Sequence, residues 1–336
     1  DGPDVSAVSD PFDAVAPTVS PDGRTAFATV QYRELTLQPE HYDAVADAIA
    51  PTRADGVQAE VLYGILGATR RLNDAEAAVE LVRIYNEWLA GFCDAHPDRY
   101  AGLACIPNAP VEAAVEEMRR VIKRGGVRGL EIAHSYDIAP LWDPQWNPVW
   151  EVANEAALPV HFHTAGERRP DLAKLPPQLA RVEHAVHISG FQLYMATTLI
   201  SVIFAGVLER YRNVKIVIGE SGIGWIPYVL DRMDAEWEDQ FKDLSLTMRP
   251  SEYWRRQCRA TYQSDRIGIK LLDDIGHDTI MWGSDFPHPD GIWPDSSEFI
   301  ERLHDACAAV GRDPATISRT LSLDSEARYS LASVGA

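Results

Sequence analysis

Basic residues are scarce beside acidic ones: 31 Lys and Arg against 50 Asp and Glu in 336 residues, a formal net charge of −19. A surface of that sign repels a phosphate backbone and an anionic bilayer alike, so neither nucleic acid nor a membrane is an expected partner. Cysteine is scarcer still. Cys93, Cys105, Cys258 and Cys307 lie far apart with no CxxC pair, which excludes a zinc knuckle or disulfide frame and suits reduced, mostly buried thiols in a cytoplasmic protein. No apolar run approaches the roughly 20 residues that span a bilayer. The opening DGPDVSAVSDPFDAV has neither the basic nor the apolar region of a targeting signal. No repeat, low-complexity block or Gly/Ser linker marks a domain boundary. A small-molecule partner is the remaining expectation.

The chain is 46% hydrophobic, enough for a large core. Residues 1–39 are rich in Pro, Asp, Gly and Ser and read as an excursion, with one alternating stretch over Ala26–Tyr32 that suits half of a hairpin. From residue 40 to 336 short apolar runs alternate with helical patterns, the signature of parallel βαβ units. Strands are predicted over Val57–Tyr63, Tyr100–Ile106, Val127–Ile132, Pro159–His163, Val214–Gly219, Arg259–Gln263 and Thr279–Gly283. Helices are predicted at about 73–95, 111–124, 145–157, 191–210, 225–242, 266–274 and 297–309. Seven such units fall one strand short of a (β/α)8 TIM barrel. The fold class is therefore α/β, a (β/α)8 barrel whose first strand either lies upstream of residue 1 or is replaced by the 26–32 run; the former is the expectation.

In such a barrel the chemistry gathers at the C-terminal ends of the strands. Those ends carry Glu131 and His134, His161 and His163, Glu220, Ser264 and Asp265, and the string Gly283-Ser284-Asp285-Phe286-Pro287-His288. Imidazoles and carboxylates on one rim form a donor set for a divalent metal. His163, nearer the rim, is expected to reach the barrel axis and His161 to face away from it. Asp285 reads as a cap or turn aspartate before Pro287 or, because it follows an apolar run and must be satisfied near the core, as a metal ligand or proton relay. Glu220 reads equally as a ligand or acid/base and as a carboxylate capping the helix that begins near Trp225. Trp142, Trp225, Trp282 and Trp293 are read as core or rim packing.

Pro159-Val160-His161-Phe162-His163-Thr164, Phe204–Tyr211, Gly219–Trp225 and Trp282–His288, in that order and spacing, together resemble the amidohydrolase superfamily. The similarity lies with its branch of aminocarboxymuconate-semialdehyde and γ-resorcylate decarboxylases. The resemblance implies one metal at the barrel mouth, zinc first and manganese as the alternative, with His163 and Asp285 as ligands, and Glu220 is added to them from its own place at a strand end. Asp285 and Glu220 are the implied acid/base residues, although the decarboxylases usually carry a histidine at the position of Glu220. His161, His187, Ser264 and His288 are the implied substrate contacts, and a homodimer is the implied assembly. The (Asp/Glu)-x-His pair of the family's first strand is absent from residues 1–60, which a strand lying upstream accounts for. The implied reaction is nonoxidative decarboxylation of a small carboxylated aromatic or unsaturated compound. The alternatives are metal-dependent hydrolysis or hydration of a carbonyl compound, or a metal-free binding protein.

Overall fold

The computed structural model describes residues 5–8, 30–32, 59–66, 72, 74–134, 138–163 and 174–285, with positions 298, 301, 305 and 308. By its contacts the chain divides into two units, residues 1–61 with 90–101 and 283–336, and residues 62–89 with 102–282.

Strands β1 (Val5–Val8) and β2 (Val30–Tyr32) pair antiparallel, with Val8 opposite Val30. They form a separate two-stranded sheet, so the 26–32 run does not replace a barrel strand. The larger sheet comprises β3 (Glu60–Leu62), β4 (Tyr100–Cys105), β5 (Gly129–Ala133), β6 (Val160–His163), β7 (Ile216–Ile218), β8 (Cys258–Tyr262) and β9 (Ile280–Trp282). Its spatial order is its chain order, and every pairing from β4 to β9 is parallel. Seven strands in chain order with helical crossovers are the plan of a (β/α)8 barrel; among the described residues this sheet has no eighth strand. β5 and β7 are buried along their whole length, as strands covered on both faces must be.

The crossovers are α1 (Ala75–Ala95), α2 (Val111–Arg124), α3 (Asn147–Ala156), α4 (Pro177–Gly190), α5 (Tyr194–Phe204), α6 (Val207–Arg210), α7 (Ile226–Asp239), α8 (Pro250–Gln257), α9 (Arg266–Lys270) and α10 (Leu272–Ile275). α2 shows how sequence sets such a helix. Ala114, Glu117, Met118 and Val121 recur on one face and are buried, Lys123 and Arg124 complement the carbonyl end, and Gly125 at φ 74 ends it. The buried Glu117 carboxylate is met by Arg120 at 2.8 Å and by the Asn86 amide at 2.7 Å.

Helices α4 and α8 were not predicted. α4 buries none of its residues, so its sequence lacks an apolar face turned to the core. It runs on through a 3₁₀ turn into α5, giving 28 continuous residues, Pro177–Phe204, long and apolar enough by composition to cross a bilayer. That corrects the expectation that no stretch approaches such a length. Met195, Thr198, Leu199, Val202 and Ile203 of α5 are buried inside the protein. Trp142 is 61% exposed rather than packed. Cys93, Cys105 and Cys258 are buried, while Cys307 and Trp293 lie outside the described residues.

Candidate active site

The strand register decides which side chains can meet. Glu131 pairs with His161 and Ala133 with His163, while His161 pairs with Val217 and Val217 with Arg259. Alternate residues share a face, so Glu131, His161, His163, Gly219 and Thr261 lie on one side of the sheet. Phe162 and His134 lie on the other. This corrects the expectation for His161: two residues apart means the same face, and the Tyr63 ring touches both histidines, edge-on to His161 at 5.5 Å and tilted over His163 at 4.6 Å.

His163 is held at both nitrogens by carboxylates: Nδ1 lies 3.2 Å from Glu131 Oε1 and Nε2 lies 2.8 Å from Glu220 Oε2. Burial works against an imidazolium there, but the hydrogen bonds and charges of Glu131 and Glu220 outweigh it and push His163 up to about 10. The His163 side chain is 22% exposed and Glu220 12%, against 1% for Glu131, so the Glu220 side is the open one. Glu131 is fixed from behind, its Oε2 accepting from the Gly64 N–H at 2.5 Å. His161, fully buried, shares a hydrogen bond at Nδ1 with the Tyr63 hydroxyl at 3.0 Å. Burial, with the neighbouring His163, pushes it down to about 3, which keeps it neutral.

Tyr63 was not singled out from the sequence, although it ends a predicted strand and is polar there. Its hydroxyl lies where a Cβ on residue 219 would stand, 2.5 Å away, and glycine at 219 makes the room. Past Gly219 the chain turns sharply. Glu220 has φ 50 and Gly222 φ 60; for the non-glycine residue such a conformation costs on the order of 1 to 3 kcal/mol and persists only where the surroundings over-determine it. The Glu220 N–H donates to Thr261 Oγ1 at 2.7 Å, and Asp265 accepts from the Ile223, Gly224 and Gly268 N–H groups at 2.8, 2.7 and 2.7 Å. Capping of this turn thus falls to Asp265, and the Glu220 carboxylate is directed to His163 instead.

Asp285, three residues past β9, is half-buried and adopts φ 58; it belongs to the first unit. Ser264 is exposed beside Asp265. His187 lies on α4, stacked on Phe191 at 5.4 Å. His288 lies outside the described residues. His134 turns to the helical side: its Nδ1 is 2.5 Å from Thr198 Oγ1, its ring stacks on Tyr194 at 5.1 Å, and burial pushes it down to about 4.

His163 Nε2 and Glu220 Oε2 stand as neighbouring ligands of one divalent ion would, with bonds of roughly 2 Å each. Glu131 behind Nδ1 is the carboxylate that fixes the tautomer of such a ligand. Among the described residues no group of three His, Cys, Asp or Glu surrounds a common point, so the described part of the site offers two donors and one orienting carboxylate.

A family model described as Amidohydrolase matches residues 32–313. The 2-amino-3-carboxymuconate-6-semialdehyde decarboxylase of Dictyostelium discoideum is 25% identical over 221 residues, 64% of this chain; the chain spans 58% of that relative's length. A gamma-resorcylate decarboxylase of Polaromonas sp. is 23% identical over 287 residues, covering 80% of each chain. The crystal structure of a dihydroxybenzoic acid decarboxylase from Polaromonas sp., with bound manganese and the inhibitor 2-nitroresorcinol, superposes with a TM-score of 0.62 at 21% identity, covering 76% of this chain and 78% of that one.

Proposed function

The chain belongs to the amidohydrolase family, and from that premise we propose that it is a lyase that removes carbon dioxide from a small aromatic carboxylate without an oxidant, using one divalent cation. The observation that carries the reading is the Glu131–His163–Glu220 arrangement at the C-terminal strand ends, where this architecture places its chemistry. The names of the gamma-resorcylate decarboxylases among the relatives supply the substrate class.

His163 and Glu220 are the proposed holders of the cation on their geometry, and the family resemblance alone proposes Asp285 as a third. Manganese is the proposed metal because it is the one bound in the Polaromonas structure; zinc, expected first, finds no such support. When bound, a divalent cation polarises a substrate oxygen and fixes the substrate's orientation. Glu131 keeps the His163 ring turned so that Nε2 faces the open side. Asp285, in its acid form, protonates the ring carbon that bears the carboxylate. The bond to the carboxylate then breaks, its electron pair restores the aromatic ring, carbon dioxide leaves, and Asp285 regains its proton from water. His161, neutral and held by Tyr63, forms the floor beneath His163. Ser264, His187 and His288 are the proposed substrate contacts.

One observation favours a second reading. A carboxylate, Glu220, stands 2.8 Å from His163 Nε2 where the resembling decarboxylases usually carry a histidine, and a carboxylate there suits activation of water for attack on a carbonyl. The two readings separate on product. Incubation of the purified protein and Mn²⁺ with 2,6-dihydroxybenzoate should release carbon dioxide stoichiometrically with resorcinol. Asp285→Asn should lower that rate about 10²- to 10⁴-fold with the circular dichroism spectrum unchanged. A rate near that of the parent protein would remove Asp285 from the chemistry.

A further inference from the structure

The Glu220 side chain depends on a disfavoured backbone, and the groups that hold it there come from a different strand. Its N–H donates to Thr261 Oγ1 at 2.7 Å, and the next N–H, of Ser221, donates to the Thr261 carbonyl at 3.2 Å. One residue of β8 therefore receives two consecutive donors of the turn. Four residues further on, both oxygens of Asp265 are engaged: Oδ2 by the Ile223 and Gly224 N–H groups, Oδ1 by the Gly268 N–H in the first turn of α9. The turn is built around this carboxylate. A Cβ on Gly224 would lie 3.1 Å from Asp265 Oδ1, and one on Gly268 would lie 2.2 Å from Ile223 Cγ1. The far side is closed by the Trp225 indole, whose N–H donates to the Ser221 carbonyl at 2.8 Å.

We propose that Thr261 and Asp265 are positioning residues for Glu220: together they clamp the 220–224 turn at both ends and so fix the distance between the Glu220 carboxylate and His163. The hydroxyl is the critical group of Thr261. It is the acceptor for the N–H of the residue held at φ 50, and without it that N–H faces apolar surface unsatisfied, which favours relaxation of the turn. Asp265 acts through shape and charge. An asparagine would keep the outline but offer one acceptor oxygen to donors that now share two.

The chemical role of Glu220 rests on the function proposed above; where its carboxylate stands does not, and the test keeps the two apart. Crystal structures of Thr261→Val and Thr261→Ser are determined, and Mn²⁺ binding to the full chain is measured by calorimetry. In Thr261→Val, Glu220 should leave the left-handed region and its contact with His163 should open beyond hydrogen-bond distance. Mn²⁺ binding should weaken by about 10- to 100-fold, the usual effect of losing a group that orients a ligand. Thr261→Ser keeps the hydroxyl and should restore both. A merely structural threonine would lower the melting temperature of both variants and leave Mn²⁺ affinity alone. Retention of φ near +50 and of the 2.8 Å contact in Thr261→Val, or a serine variant as impaired as the valine one, overturns the proposal. Parent protein that binds no Mn²⁺ overturns the metal assignment, while the crystal structures still decide the positioning. Should Thr261→Val fail to fold, Asp265→Asn carries the same two measurements from the other end of the turn, with the same outcomes for and against.

Discussion

His134 and His163 sit one register step apart on neighbouring strands, since Ala133 pairs with His163, yet their environments drive them in opposite directions. On the helical side His134 meets a hydroxyl and an aromatic ring, and burial alone pushes it down to about 4. On the other side His163 meets two carboxylates and is pushed up to about 10. Both are histidines at a strand end and both are largely shielded. Proximity to the rim does not mark a functional imidazole; the groups that share its face of the sheet do.

The largest effect that would sharpen this contrast comes from Glu131→Gln. It keeps the outline of the side chain but weakens its hold on His163 Nδ1, and Mn²⁺ affinity measured by calorimetry should fall about 10- to 100-fold, with the fold retained. Unchanged affinity would reduce Glu131 to packing and erase the difference between the two faces. His134→Leu probes the other side. It strands the Thr198 hydroxyl and removes the stacking on Tyr194, so urea denaturation should register a loss of about 1 to 3 kcal/mol, while Mn²⁺ affinity stays at the parent value. A collapse of metal binding in that variant would place His134 in the site after all. The smallest effect concerns acid. Burial favours the protonated form of Asp265, but the N–H groups of Gly268, Ile223 and Gly224 outweigh it and hold the carboxyl below its ordinary range. Its stabilising contribution is therefore complete above the unfolded value near 4 and is lost as pH falls through the lower folded value. Asp265→Asn should flatten the acid limb of a stability-against-pH curve, and an unaltered limb would assign that limb to other carboxylates.

Much of the frame was legible in the residues because it is local. The apolar runs at Val214–Gly219 and Thr279–Gly283 announced β7 and β9, and the 3.6-residue pattern with Gly125 announced α2. α4 escaped because a helix that buries nothing leaves no apolar stripe turned to a core. At the site, His163 and Glu220 were identified as residue types at strand ends. What could not be read was company over distance: Glu131 lies 32 positions from His163, Thr261 41 from Glu220 and Tyr63 98 from His161. Only strand register brings those together. The orientation of His161 was mistaken for a different reason, since the alternation rule by itself places residues 161 and 163 on one face.

The close approach of the Tyr63 hydroxyl to Gly219 also carries a historical consequence. A Cβ at 219 would stand 2.5 Å from that phenol oxygen, so substitution there forces the ring to shift for as long as 63 is a tyrosine. Exchange at 63 for something smaller opens the neighbouring position, whereas the reverse order of events passes through a strained intermediate. The two sites should therefore drift in a fixed sequence, and among descendants of this chain a bulkier residue beside Glu220 should occur only on backgrounds that have already given up the ring.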